Sequence, residues 1–152
     1  MKNETLFNKT IRILVKAYQN DMIEHGNYCS CAVGNLIVDA LNIKTYREKG
    51  ETSEIKWEGA DGRLWYNQIS EELIPSKESE AYLQIISTGY DFESIVLIES
   101  AFEKVKHGSA RHSKTKEELL YDGLMSVVDT LMLIHGATTK ETKAAKELFV
   151  KA

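Results

Sequence analysis

A single proline, Pro75, leaves little in this chain to interrupt helices, and it removes collagen-like and proline-rich architectures from consideration. Two cysteines, Cys29 and Cys31, are too few and too close together for a disulfide framework. No uncharged run reaches the roughly 18 residues that a membrane span needs, and Met1 to Lys9 hold no apolar stretch of signal-peptide length. A cytoplasmic protein with no membrane partner is therefore expected. An excess of positive charge is also missing: 19 Lys plus Arg stand against 23 Asp plus Glu, net −4, which argues against a general nucleic-acid coat protein. Glycine-rich phosphate loops (G-x-G-x-x-G, G-x-x-x-x-G-K-S/T), a G-x-S-x-G elbow and C-x-x-C pairs are all absent. Their absence disfavours P-loop hydrolysis and serine esterase chemistry, and no cofactor is expected.

What is present is ordinary for a globular domain. The 152 residues are 43% apolar and 28% charged, so one core and one domain spanning residues 1–152 are expected. From Glu4 to Glu24, Phe7, Ile11, Leu14, Tyr18 and Met22 recur at helical spacing, with Gly26 as the stop. A second apolar run, Tyr28 to Leu41, reads as a helix carrying Gly34, which a close helix crossing would explain. Residues 42–68 change character. Glu54 to Glu58 alternates, Gly59-Ala60-Asp61-Gly62 offers turn chemistry, and Arg63 to Tyr66 returns as a second strand. Further helices follow from caps at Ser76 and Asp91, and from the capping-box pairs Thr115 with Glu118 and Thr138 with Glu141. The helix after Thr115 is apolar nearly all round and should be central. The expected fold is mainly α: a single-domain bundle of about six helices with a small two-stranded β-hairpin in the middle of the chain.

Four constellations carry chemistry. Between Lys104 and Lys116 the cations Lys104, Lys106, Arg111, Lys114 and Lys116 gather with His107 and His112, and no acid intervenes. Such a run either binds a phosphate, aided by the helix N-terminus at Thr115, or is a solvated loop. The stretch from His25 to Cys31, with His135, offers zinc or thiol chemistry, although two cysteines two residues apart in a helix point about 200° apart. Small buried thiols are the plainer reading. Asp122, Ser126 and Asp129 lie on one helix face and either line a pocket or face solvent; Asn35 either bridges elements or touches a ligand. Trp57 and Trp65 either stack a base or pack on the bundle.

Cys29-Ser30-Cys31-Ala32-Val33-Gly34-Asn35-Leu36 and Gly123-Leu124-Met125-Ser126-Val127-Val128-Asp129, followed by Ile134-His135, resemble a small helical family of bacterial and bacteriophage proteins. The likeness continues through the Trp-containing middle and the Ser87-Thr88-Gly89-Tyr90 turn. It implies no catalytic residues and points to a phage-type accessory, or anti-defence, protein that acts by binding. The function expected is non-catalytic: a homo-oligomer that sequesters an anionic small molecule such as a nucleotide signal. Lys104, Lys106, Arg111 and Lys114 would pair its phosphates, His107 and His112 would assist, and Trp57 or Trp65 would stack its base. Two alternatives stand beside it: an interaction or inhibitor module for a host protein, and a cysteine- or zinc-dependent enzyme built on His25, Cys29, Cys31 and His135.

Overall fold

Helix caps set most element boundaries in the computed structural model, which describes residues 4–50, 53–107 and 113–151, and of residues 106 and 107 the backbone alone. Helix α1 (Leu6–Gln19) opens where Thr5 accepts the Asn8 N–H, and it buries Phe7, Ile11, Leu14 and Tyr18. It stops before Gly26. The Asn20 side chain donates to the Lys16 carbonyl, and Asp21 turns left-handed (φ 55°), a conformation that short polar side chains tolerate. Helix α2 (Ala32–Leu41) begins at Ala32 rather than Tyr28, because Ser30 and Cys31 both donate to the Asn27 carbonyl in a turn. Cys31 is its N-cap, with Sγ accepting the Gly34 N–H at 3.3 Å. A Cβ on Gly34 would lie 2.7 Å from the Tyr28 carbonyl oxygen, so this glycine admits the preceding loop, not a crossing helix.

Strands β1 (Lys44–Arg47) and β2 (Ile55–Glu58) form the two-stranded antiparallel sheet, with Thr45 opposite Trp57 and Arg47 opposite Ile55. The sheet sits in the middle of the chain as expected, but β2 pairs with the segment before it. The expected second strand is instead helix α3 (Arg63–Ser70). Trp65 and Ile69, one turn apart, are buried on one face, and the Trp65 N–H donates to Gln84 Oε1. That helical spacing and its burial outweigh the local β preference of Leu64, Trp65 and Tyr66.

Helix α4 (Glu80–Ser87) is capped by Ser79 rather than Ser76, and α5 (Phe92–Glu103) by Asp91; a 3-10 turn, Lys104–His107, follows α5. Helices α6 (Lys116–His135) and α7 (Thr139–Glu147) both open on complete capping boxes, at Thr115 with Glu118 and Thr138 with Glu141. Seven helices and one small sheet thus make up the described residues, around a core continuous from α1 to α7. Helix α6 packs against α5, α1 and α7 and buries Leu124, Val127, Val128 and Leu131 completely. It is not buried all round: Leu133 is 79% exposed, and Asp122 and Asp129 pair at the surface with Lys114 (2.5 Å) and Lys146 (2.7 Å). The Asp122 to Asp129 stripe is therefore a solvent face. No helix among the described residues is long and apolar enough to cross a membrane.

Candidate functional site

The basic run is only partly in view. Arg111 and His112 lie outside the described residues, as do the side chains of Lys106 and His107. Lys104 is exposed in the 3-10 turn after α5. Lys114 is held by Asp122, whose hydrogen bond raises the lysine pKa, so this cation already has a counter-ion. The tryptophans correct the stacking expectation. Trp57 is 6% exposed and donates Nε1–H to the Cys29 carbonyl at 2.8 Å; Trp65 is 0% exposed and packs edge-on against Tyr66. Neither offers a face to a base, because both fill the core.

The stretch around the cysteines is a loop stitched to its surroundings by carboxylates. Glu24 Oε1 accepts from Asn27 Nδ2 (3.1 Å), Ser30 Oγ (3.0 Å) and, at 3.4 Å, the Ile55 N–H of β2. Glu103, at the end of α5, accepts the Gly26 N–H, while the His25 ring stacks on Phe102 at 4.2 Å and meets the Phe102 carbonyl oxygen through Nε2 at 2.9 Å. Asn35 donates to the Met22, Ser30 and Cys31 carbonyls, so it closes the loop onto α2. Glu99, only 5% exposed, faces the N-terminal turn of α2, where Cys31 and the Val33 N–H favour its ionised form; burial wins and moves its pKa up to about 7. Burial likewise raises both thiols, Cys31 far above the usual range, so the helix N-terminus does not make it a thiolate. Both cysteines are buried and unbridged, and no group of three or more His, Cys, Asp or Glu among the described residues is arranged to hold a metal. His135 is far from this loop in its contacts and belongs to a different network.

That network joins α1, the turn before α5 and the end of α6. The Thr10 hydroxyl donates to the Leu6 carbonyl at 2.8 Å, so its oxygen must accept from Tyr90 (2.7 Å). Tyr90 has then used its one proton, and its oxygen accepts from His135 Nε2–H at 2.7 Å, which assigns the histidine tautomer. Burial raises Tyr90 to about 12 and lowers His135, keeping both neutral.

Beside the stitched loop lies a cleft of about 260 Å³. Ile23, Leu119 and Leu120 supply its apolar surface, His25 also lines it, and Arg47 of β1 and Lys116 of α6 bring two cations. Three carboxylates, Asp21, Glu24 and Glu117, also border it. Each accepts from the protein's own donors through one oxygen. Asp21 and Glu117 both bind Lys151, at 2.6 and 2.9 Å, and Glu24 serves its own loop. The Lys151 hydrogen bond holds the Asp21 carboxyl below its usual range. The cations are placed differently: Arg47 donates to the Ser53 and Asp21 backbone carbonyls, and among the described residues neither Arg47 nor Lys116 forms an ion pair. Lys116 closes the basic run of the sequence. Arg47, Glu99 and Lys151 carry no motif, although the Ile95, Glu99, Phe102 spacing puts Glu99 in an apolar stripe of α5 and so makes it legible as a buried acid. No protein-family model, no curated protein and no solved structure matches this chain.

Proposed function

We propose that this chain is a non-catalytic binding protein whose cleft between the 20–31 loop and α6 holds a small anionic molecule. One observation supports it most: the carboxylates at the cleft are engaged by the protein's own donors, whereas Arg47 and Lys116 keep donors without an acidic partner among the described residues. A phosphate or carboxylate lies between the two cations, and the organic part of the ligand rests on Ile23, Leu119 and Leu120. A volume of about 260 Å³ favours a mononucleotide-sized phosphate ester or smaller, since ligand pockets commonly run to roughly 300–1,000 Å³. The tryptophans take no part. Sequestration of a nucleotide signal by a phage-type accessory protein is the biological form of this reading, and it rests on the sequence resemblance.

Calorimetric titration with pyrophosphate, AMP and cyclic nucleotides tests the proposal. Binding should weaken as salt rises, and Arg47→Ala with Lys116→Ala should weaken it by roughly tenfold or more, as expected for losing two charge-assisted contacts. Unchanged affinity in the double variant would remove the cleft from the function.

A second reading, an interaction module or homo-oligomer contact, is favoured by one other feature. A groove of about 640 Å³ runs between α1 and α7, with Phe7, Ile11, Val15, Ala144, Ala145 and Leu148 along it. Light scattering combined with gel filtration, comparing the native chain with Val15→Glu, would detect association through that groove.

A further inference from the structure

We infer that Lys151 is the counter-ion that keeps the cleft from being net negative, and so raises its affinity for anions. The inference rests on the cleft reading above for its ligand, and on geometry alone for its electrostatics. Lys151 Nζ lies 2.6 Å from Asp21 Oδ1, 2.9 Å from Glu117 Oε1 and 4.8 Å from the Tyr18 ring centroid. Three different segments meet at this ammonium: the left-handed residue after α1, the first turn of α6 and the stretch after α7. Its position is fixed by its neighbours, because Phe149 is buried against Tyr18 and the Val150 carbonyl accepts from Gln19 Nε2.

The charge arithmetic shows why this contact matters beyond local stability. Arg47 and Lys116 face Asp21, Glu24 and Glu117, two cations against three carboxylates. With Lys151 the balance is three against three, and the acids it pairs with are Asp21, after α1, and Glu117, in the first turn of α6. Without it, Asp21 and Glu117 stand uncovered beside any bound anion. A pair of this kind, exposed at the surface, adds little to folding stability. Its field, however, acts on a ligand within a Debye length, and low salt magnifies the effect. Neutralising the Lys151 amine by acylation would therefore weaken anion binding in the cleft without unfolding the protein.

Two measurements test this on the full chain. In the first, relaxation of the Ile23, Leu119 and Leu120 amide protons by a cationic and an anionic nitroxide reads the local potential with no ligand present. Lys151→Ala should turn the cleft negative, Lys151→Arg should not, and Asp21→Asn with Glu117→Gln in the Lys151→Ala background, which leaves two cations against Glu24 alone, should make it more positive than the wild type. A potential unmoved by Lys151→Ala overturns the inference whatever the cleft binds. In the second, AMP and pyrophosphate affinity should fall roughly three- to tenfold in Lys151→Ala at low salt and rise to the wild-type level or above in the triple variant. If the wild type binds through Arg47 and Lys116 and the alanine variant binds equally well, the inference falls and the cleft reading stands. If the potential responds as described and neither probe binds, the cleft reading falls and the electrostatic inference stands. A lysine that merely anchored the chain would not be rescued by removing the two carboxylates it pairs with, so failure of the triple variant also overturns it.

Discussion

Proton linkage at Glu99 follows from its surroundings, residue by residue. The carboxyl sits 5% exposed between Cys31, the start of α2 and Glu103, and burial followed by the Glu103 field lifts it from 4.5 to about 7. A raised carboxyl pKa means that the folded state holds its proton longer than the unfolded chain does. The stabilisation is complete below about pH 4.5 and is lost as pH climbs through 7. Glu99→Gln, which imitates the protonated acid, should therefore stabilise the protein by roughly 2–3 kcal/mol at pH 8 and by less than about 1 kcal/mol at pH 5. Urea unfolding at the two pH values checks this, and an equal effect at both would contradict it. His135 runs the other way. Burial lowers its pKa, so the folded state resists protonation and stability is lost as pH falls below about 6.5. The wild type should lose more stability between pH 7 and 5 than His135→Gln, which keeps an N–H for the Tyr90 oxygen; thermal melts across that range decide. Of these two residues only Glu99 was legible, from its place in an apolar stripe. The Thr10–Tyr90–His135 relay depends on a contact spanning 80 residues, between Thr10 and Tyr90, and leaves no local trace.

Gly123 shows how an element's contacts reverse a propensity. Replacing a helical glycine by alanine ordinarily adds stability, about 1 kcal/mol. Here the new Cβ would lie 2.8 Å from the Phe102 carbonyl oxygen and 2.8 Å from His25 Nε2, forcing α6 away from α5 and from the stitched loop. Gly123→Ala should instead destabilise by roughly 1–3 kcal/mol, the range for overpacking, and should shift the His25 ring signals in an NMR spectrum. A rise in melting temperature would refute the contact. Helices with local signals were readable in sequence: both capping boxes are where Thr115, Glu118, Thr138 and Glu141 put them, and Asp91 caps α5. Elements that depend on distant packing were not. Segment 63–70 has the β-prone Leu64, Trp65 and Tyr66, and becomes helical because Trp65 and Ile69 enter a core supplied by other segments. Strand β1, Lys-Thr-Tyr-Arg, is too polar to announce itself and exists through its pairing with β2.

At the scale of the whole molecule, the fold class was legible and the candidate site was not. Composition and helical periodicity specify a mainly α bundle with one small sheet, and that is the architecture. The cleft draws on the 20–31 loop, β1, the first turns of α6 and, through Lys151, the stretch after α7. Charge patterning detects cations that are neighbours in sequence, which is why Lys104 to Lys116 stood out and Arg47 did not. The structure also shows that a cation conspicuous in sequence can be matched already, as Lys114 is by Asp122. Backbone-resolved NMR titration with AMP and pyrophosphate at low salt tests the central claim most directly. The account predicts that the largest shifts fall on residues 23–25, on Arg47 and on residues 116–120, saturate with ligand and vanish in the Arg47→Ala, Lys116→Ala variant. Saturable shifts centred elsewhere, on α4 or along the α1 and α7 groove, would contradict it.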